Sequence, residues 1–426
     1  MYLQPTINSM PVEVIEEILS QLALPDICSL RLTGRKLHAK SSQGIFKSYF
    51  RRKTIMMDAT GDQFRQAVHV TQRQGFGCLL EHLTLVGFAG PNNPAPYNRE
   101  ESLKEAAVPM LFLQLMKDLG VNGTSGCLQS VSITMEDQNR GSSGYVWMNA
   151  AKCFEHTMQA LHESQLPIKS LDVFFGATLC SLTIDQLPAI LELDLSASLQ
   201  KLKCLSMSLS HHEAYQPSTS YVSAREPEGK EMRAHAYGRR HTVALCKFLQ
   251  RCPVLEDLQL HWYRLYTFQL SRASNEEQRF FDRVAKSCKF PFLKRCTLKG
   301  IRTTQTALLS FLRRMQLNSI VMEEIHLRTG KFGPVFDCLV ERMKQLEYLH
   351  FENLFESHLI LFDAPGNPHF CGPGMRPPHV LTRTGLTRSG ADARMPIKYK
   401  HDTGPTSGEM EVTNWIMKRK REYGPR

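Results

Sequence analysis

The first forty residues carry apolar side chains at helical spacing. The apolar positions recur at intervals of three and four residues: Val14, Ile15, Ile18, Leu19 and Leu22. Pro11 suits the first turn of such a helix, and the acidic residues cluster near its N-terminal end, where the helix dipole favours them. Pro25 opens a second helix, Gly34 marks its end, and a short third helix is expected over 35–41. The pattern therefore predicts a helical module over residues 8–53.

Three helices this short can enclose little core. We therefore expect part of their apolar surface to pack on a partner. The alternative, which the pattern leaves open, is an ordinary helical hairpin packed on its own domain.

The same segment resembles the F-box family. The residues that carry the resemblance follow the family's order: Met10-Pro11, Glu13, Ile18-Leu19, Leu22, Pro25-Asp26, Leu30-Arg31-Leu32 and Arg35-Lys36. The segment departs from the family at Thr33-Gly34, where Val followed by Ser or Cys is common, and at Leu37, near where Trp is common. The resemblance implies that ten apolar residues dock on a Skp-family adaptor and, through it, on a cullin-RING ubiquitin ligase. They are Met10, Pro11, Ile15, Ile18, Leu19, Leu22, Pro25, Ile27, Leu30 and Leu32.

After residue 75, the chain repeats an apolar sequence motif of the form L-x-x-L-x-L, which we call the phrase. It stands at Leu80-Leu83-Leu85, Leu128-Val131-Ile133, Ile168-Leu171-Val173, Leu202-Leu205-Met207, Leu255-Leu258-Leu260, Leu293-Cys296-Leu298, Met322-Ile325-Leu327 and Leu346-Leu349-Phe351. Its last two apolar positions are two residues apart, so in a strand they share one face. Amphipathic helices are expected at 63–73, 108–119, 150–163, 240–251, 277–288, 304–315 and 335–345. This alternation predicts a stacked α/β solenoid with parallel strands.

The body over residues 54–356 is similar to leucine-rich-repeat proteins. The Asn that the family places eight residues after the first Leu is absent from every phrase, so we expect an irregular solenoid. The alternative is a non-repetitive α/β domain with Leu-rich strands. The fold class expected for the whole chain is α/β, with the helical module followed by the solenoid and a partly disordered C-terminal tail.

Residues that alternate with the apolar pairs should form the concave face of the solenoid. In the later phrases they are Asp257, Gln259, His261, Arg295, Thr297, Lys299, Glu324, His326, Arg328, Tyr348, His350 and Glu352. Mixed charge with His and Tyr suits a surface that binds a protein target. For any single position, a solvated polar side chain remains the alternative.

Three segments lack the apolar pattern. Residues 211–241 are polar and nearly free of aliphatic side chains, which indicates a long surface loop. Residues 357–408 are rich in Pro, Gly, Thr and Arg, and we expect irregular or disordered structure there. Residues 409–426 are expected to form a short basic helix. Its run from Lys418 to Arg421 suits a nuclear-import signal or, equally, a helix C-terminus.

Composition indicates a soluble intracellular protein. Of 426 residues, 42% are hydrophobic, and the longest compact apolar run, 108–116, is far shorter than the about 20 residues that a membrane span needs. No basic cluster followed by an apolar core opens the chain, so no signal peptide is expected. The 12 cysteines include no C-x-x-C pair, which argues against a zinc ribbon. Reduced thiols in the cytoplasm or the nucleus are the simplest interpretation.

The net charge of +11 is concentrated at the two ends of the chain. Residues 1–53 hold 8 Lys or Arg against 4 Asp or Glu, and residues 357–426 hold 11 against 6. The body therefore keeps 33 basic and 31 acidic residues, too balanced for a nucleic-acid groove. A nucleic-acid-associated protein that acts through its basic ends ranks last among our hypotheses.

No phosphate-binding loop, dinucleotide fingerprint, nucleophile elbow or zinc-binding helix motif is present in the sequence. We therefore expect no catalytic residue, no cofactor and no metal, and no membrane partner. The leading hypothesis is a substrate-recognition adaptor of a Skp–cullin–F-box ubiquitin ligase, with an unknown protein target held on the repeats. A Skp-bound scaffold that acts outside ubiquitin transfer is the second hypothesis.

Overall fold

A mostly parallel sheet with helices packed against it makes up the body of the protein. The computed structural model describes residues 6–57, 60–73, 75–89, 99–137, 143–178, 180–210, 239–263, 279–362, 368–369 and 382–401. Within these residues, the predicted α/β class with parallel strands is confirmed.

Short helices form the N-terminal part. After a 3-10 turn at Ile7–Ser9, they are α1 Val12–Ser20, α2 Leu24–Leu32, α3 Arg35–Lys40 and α4 Gly44–Ser48. Pro25 lies in the first turn of α2, where its missing N–H leaves no intrahelical acceptor unpaired. The sequence predicted α1 to α3 and missed α4, whose five residues are too few to show a helical period.

The strands are short. In chain order they are β1 Arg52–Met56, β2 His82–Ala89, β3 Ser130–Asp137, β4 Ser170–Val173, β5 Leu182–Thr183, β6 Cys204–Ser210, β7 Asp257–Trp262, β8 Arg295–Lys299, β9 Arg302–Thr303, β10 Ser319–Glu323, β11 His326–Leu327, β12 Tyr348–Glu352, β13 Ile360–Phe362, β14 Pro368–His369, β15 Thr382–Arg383, β16 Gly385–Ser389 and β17 Tyr399–His401. The main sheet has the order β1-β2-β3-β4-β6-β7-β8-β10-β12-β16, and β5 pairs with β6. All of these pairings are parallel except β12 with β16. The strands of this path thus follow one another in sequence order, although β9, β11 and β13 to β15 lie in separate small sheets.

Helices connect the strands. Those of the body are α5 Asp62–Gln72, α6 Arg99–Asn122, α7 Ser143–Ser164, α8 Leu187–Ile190, α9 Ser196–Leu199, α10 Arg239–Gln250, α11 Phe280–Ser287, α12 Gln305–Leu312 and α13 Gly333–Arg342. Consecutive helices contact each other, as α5 does α6 and α11 does α12. Their buried side chains and the apolar side of the sheet form one core that extends from Ile55 to Ala393.

The apolar pairs of the repeated phrase build the sheet side of this core. Leu83 and Leu85 of β2, for example, are fully buried and are aligned with Val131 and Ile133 of β3. The same register continues through β12, so each phrase adds one rung to the ladder. The polar residues between the apolar ones lie on the opposite side, which we call the polar sheet face.

One phrase was placed in the wrong register. The sequence Leu317-x-x-Ile320-x-Met322-x-x-Ile325-x-Leu327 contains the phrase twice. We expected the strand to carry Ile325 and Leu327, whereas β10 ends at Glu323 and carries Ile320 and Met322. Leu327 lies instead on β11, which pairs with β9 in a separate small sheet.

A left-handed residue follows several strands at the same position. It is Phe174 after β4, Gly300 after β8, Glu324 after β10 and Asn353 after β12, with φ of 59°, 70°, 54° and 52°. The left-handed conformation turns the backbone at the end of the strand, and the residue that follows enters the core. Ile325 and Leu354, for example, are both fully buried. A repeated turn therefore stands one or two residues before the position where the family's Asn is expected.

The C-terminal segment corrects one expectation. We predicted irregular structure over 357–408, but β16 pairs antiparallel with β12, and β17 pairs with β13. β16 thereby covers the edge that β12 would otherwise expose. The predicted loop at 211–241 falls almost wholly, and the predicted helix at 409–426 entirely, outside the described residues.

Among the helices that the structure describes, none has both the length and the apolar content that a membrane crossing requires.

Candidate functional site

The helices α1 to α4 enclose a very small core. Its buried side chains are Ile15, Leu19, Ile27, Leu37 and Phe46. Three of them, Ile15, Leu19 and Ile27, were predicted to contact a partner, and this is wrong because each is fully buried within the module. They hold the helices together.

The other predicted interface residues remain accessible. Pro11, Pro25 and Leu32 are exposed, and Leu32 is 86% exposed at the end of α2. Partly buried positions complete the predicted set: Met10, Ile18, Leu22 and Leu30. The structure also exposes Val14, which lies four residues before Ile18 and therefore on the same side of α1. We call these accessible residues the N-terminal apolar surface.

Polar contacts fix the shape of this surface. The Glu16 carboxylate accepts a hydrogen bond from the Ile45 amide at 2.8 Å, and Tyr49 donates its hydroxyl to the Leu22 carbonyl at 3.1 Å. The Arg31 guanidinium lies 3.6 Å from the centre of the Phe46 ring. Arg31 is thus engaged in positioning the helices.

An aromatic cluster attaches the module to the body. Phe76, in a 3-10 turn after α5, lies 5.2 Å from Phe46 and 4.9 Å from Phe50 between ring centres. Phe46 and Phe50 are themselves 5.0 Å apart. Three mutually packed rings make a joint of fixed geometry, because such pairs prefer particular orientations.

The polar sheet face brings together residues from successive strands. On β7 and β8, Asp257 and Arg295 are aligned and form an ion pair at 2.8 Å. Gln259 also reaches the Asp257 carboxylate, at 3.4 Å. Arg295 is largely exposed while Asp257 is buried, so the guanidinium is the part that a partner can contact.

His261 lies deeper than the sequence suggested. Its ring is only 6% exposed, and its Nδ1 is 3.1 Å from the Ser208 hydroxyl on β6. The rings of Phe175 and Tyr263 lie 6.2 and 6.0 Å from it. His261 therefore shapes the face and offers little surface of its own.

Charged side chains meet again on β8, β10 and β12. Lys299 pairs with Glu323 at 2.9 Å. His350 Nδ1 lies 2.7 Å from the Thr387 hydroxyl on β16, and its Nε2 lies 3.8 Å from Glu352. Glu323 was missed by the sequence reasoning because of the register error on β10. The overlapping phrase Leu317-x-x-Ile320-x-Met322 would have placed Glu323 on the polar face, but spacing alone does not favour it over the phrase that begins at Met322.

The same error misplaced three predicted residues. Glu324, His326 and Arg328 do not lie on the polar sheet face. Glu324 is 1% exposed in the turn after β10, and His326 stacks on Phe355 with ring centres 4.2 Å apart. Arg328 forms an ion pair with Asp282 of α11. All three lie beyond the end of β10.

Tyr348, on β12, lies on the polar face as predicted, and its side chain is aligned with Ser319 of β10. It is partly exposed and can contact a partner.

Two buried thiols of the body are unsuited to nucleophilic chemistry. Burial raises the pKa of Cys153 and of Cys252 to about 12, so both are protonated near neutral pH. Among the described residues, no group of His, Cys, Asp and Glu side chains could hold a metal ion. What the arrangement offers is surface: an apolar one on α1 and α2, and a mixed-charge one on the sheet.

No protein-family model matches the chain, and no curated protein matches it.

Proposed function

We propose that the chain is a substrate-recognition adaptor of a Skp–cullin–F-box ubiquitin ligase. In this proposal α1 to α4 form an F-box that docks on a Skp-family adaptor. The body is an irregular leucine-rich-repeat solenoid that holds a protein target on its polar sheet face. The chain supplies no chemistry of its own, and catalysis comes from the proximity that the assembled ligase creates.

The observation that carries the proposal is the exposure of apolar side chains on a module with little core. Leu32 is 86% and Val14 is 44% exposed, although both belong to helices that bury only five side chains together. Burying a Leu side chain is worth about 1.5–3 kcal/mol. A surface of this kind, in the residue order of the F-box family, suits docking on a protein.

The body supports the second half of the proposal. Its strands follow one another in sequence order, a left-handed turn recurs at equivalent positions, and one core runs through all units. Such stacking is the architecture of repeat proteins, which present extended binding faces. The side chains of Arg295, Lys299 and Tyr348 offer both charge and an aromatic ring for a protein target.

The test uses the full chain and a purified Skp-family adaptor. Val14→Asp combined with Leu32→Asp should reduce affinity by about 100-fold or more, because two carboxylates would enter an apolar interface. The control is Met110→Asp, which changes an exposed apolar side chain, 66% accessible, on the body helix α6. This control should bind like the wild type.

The choice of residues matters for this experiment. Leu19→Asp would unfold the module, because Leu19 is fully buried, and loss of binding would then say nothing about docking. Circular dichroism of each variant establishes that the fold is kept. Unchanged affinity of a folded Val14→Asp, Leu32→Asp variant would refute the docking surface. Failure of the wild-type complex to retain a cullin would favour the non-degradative scaffold.

A further inference from the structure

A pocket opens at the edge of the sheet where the strands begin, away from the polar sheet face. It encloses about 690 Å³, within the range of ligand-binding pockets. Its basic side chains are Lys169, Lys201, Lys203, Lys294 and Arg314, and its single acidic side chain is Glu256. We call it the basic pocket.

The repeat places these charges on neighbouring rungs. Lys169, Lys203, Glu256 and Lys294 each stand directly before a strand, namely β4, β6, β7 and β8. Backbone hydrogen bonds link them in series: the Lys203 amide donates to the Lys169 carbonyl, the Glu256 amide to Lys203, and the Lys294 amide to Glu256, each at 2.8 Å. Neighbouring strands are about 4.8 Å apart, so the charges form a compact row.

Glu256 is saturated by its neighbours. Its carboxylate pairs with Lys203 at 2.7 Å and with Lys294 at 2.8 Å. Hydrogen bonds from Lys203 and from Lys294 lower the pKa of Glu256 to about 2, so the carboxylate is ionised throughout the physiological range. Glu256 therefore holds two lysines in place and cancels one of their charges.

Positive charge remains after this cancellation. The five basic side chains and one acidic side chain leave a net charge of +4. Within the described residues, neither Lys169 nor Lys201 takes part in an ion pair. An anionic partner would find both ammonium groups available.

An apolar anchor point lies beside these charges. Phe292, in the loop before β8, is 57% exposed, while Met315 beneath the same pocket is buried. An aromatic ring left this accessible on a loop suits contact with an apolar side chain of a partner. The pocket thus combines excess positive charge with a hydrophobic contact point.

We propose that the basic pocket binds an acidic peptide segment that carries an apolar side chain. Carboxylates of the segment pair with Lys169, Lys201 and Arg314, and its apolar side chain packs on Phe292. A peptide fits better than a nucleic acid because the body carries 33 basic against 31 acidic residues, which leaves no basic track for a run of phosphates. The proposal does not rest on the F-box assignment, since the pocket lies wholly in the body.

The test measures fluorescence anisotropy with the full chain. The probe is a labelled nine-residue peptide with eight Glu or Asp and one central Phe. One comparison peptide replaces Phe by Gly, a second replaces the acids by Gln, and a third probe is a nine-nucleotide oligouridine. Lys169→Glu with Lys201→Glu should weaken binding of the first probe by about 10- to 30-fold, because two attractions become repulsions. Phe292→Ser should weaken that probe but leave the Phe-to-Gly probe unchanged.

The matched control is Lys247→Glu with Lys331→Glu, the same charge change at two exposed lysines outside the pocket. It should bind the probe with less than a threefold change, and higher salt should weaken binding to the wild type. Equal affinity of the pocket variant and the control variant would overturn the proposal. The proposal would also be overturned if the wild type bound oligouridine more tightly than the acidic peptide and the pocket variant lost that oligouridine binding.

The pocket variant should still bind the Skp-family adaptor. Measuring that binding distinguishes failure of the pocket proposal from failure of the F-box proposal.

Discussion

Glu356 ties the C-terminal strands to the body. Its carboxylate accepts hydrogen bonds from the Phe332 amide at 2.7 Å and from the Tyr399 hydroxyl at 2.8 Å. His401 Nε2 lies 2.7 Å from the second oxygen. The Glu356 side chain is only 4% exposed, so these bonds form away from solvent. One residue thus connects β17 with the start of α13.

Replacing this carboxylate should loosen the segment. Glu356→Ala leaves the Phe332 amide and the Tyr399 hydroxyl without their acceptor, at about 1–3 kcal/mol each. Loss of the pairing with His401 adds about 0.2–1 kcal/mol, because that ring is 38% exposed. We expect the free energy of unfolding to fall by about 3–5 kcal/mol. Glu356→Gln keeps one acceptor oxygen, so a fall of about 1–2 kcal/mol is expected.

The assay is urea unfolding followed by circular dichroism, with limited proteolysis to locate the change. Cleavage within 385–401 should become faster in Glu356→Ala than in the wild type. Glu341→Ala, at an exposed position of α13, is the control and should stay within about 0.5 kcal/mol of the wild type. If Glu356→Ala unfolds at the same urea concentration as Glu341→Ala, the carboxylate does not hold the segment.

Acid should have the same effect as the substitution. Burial raises the pKa of Glu356. Hydrogen bonds from the Phe332 amide, His401 and Tyr399 together lower the pKa by more than burial raises it, so the net shift is downward. A depressed folded-state pKa contributes stability that is present above the unfolded value of about 4.3 and is lost as pH falls through the folded value. Below about pH 4, the wild type should therefore lose more stability than Glu356→Gln.

Two further predictions concern the joint and the basic pocket. Phe76→Ala removes two ring contacts, at about 0.5–1.5 kcal/mol each. It should speed amide exchange across residues 12–48 while the sheet stays protected. If exchange in Phe76→Ala equals exchange in Met110→Ala, at an exposed position of α6, the three rings do not form a joint. Lys203→Ala should raise the pKa of Glu256 from about 2 toward its usual range, as followed by NMR titration. Because this folded pKa is depressed, the stability it carries is lost as pH falls from about 4.3 toward 2. A pKa that stays near 2 in the variant would show that Lys203 does not clamp the carboxylate.

Periodicity predicted the sheet well because the same phrase recurs in every unit. It failed over residues 317–327, where two overlapping registers satisfy the phrase equally. Which register forms the strand depends on where the preceding helix ends. Because α12 ends at Leu312, Leu317 is the first buried residue of the repeated phrase. Sequence spacing alone carries no information on that point.

Three residues predicted for the interface are buried for a different reason. Ile15 and Ile18 both belong to the apolar side of α1, and sequence periodicity groups them together. A helix that packs both on its own module and on a partner uses two adjacent faces. The residues of one face are offset from those of the other by about one position in the sequence. The face that carries Ile15 points into the module, because Ile15 shares a core with Phe46 and Leu37. Val14 and Ile18 lie on the accessible face.

The C-terminal strand had no apolar signature to find. β16 reads GLTRS, and Leu386 is its one buried hydrophobic side chain. An edge strand is held largely by backbone hydrogen bonds, which any side chain permits. Composition therefore indicated irregular structure where the sheet provides a template for pairing.

In the proposed adaptor, rigid structure sets the distance between the docking surface and the target surface. α4 ends at Ser48 and β1 begins at Arg52, so the module continues almost directly into the sheet. Phe46 and Phe50 on one side and Phe76 on the other lock that connection. Transfer by proximity depends on holding two groups in a defined geometry, since misplacement forfeits the entropic advantage. In this proposal, the aromatic joint is therefore the part of the fold through which the two surfaces act together.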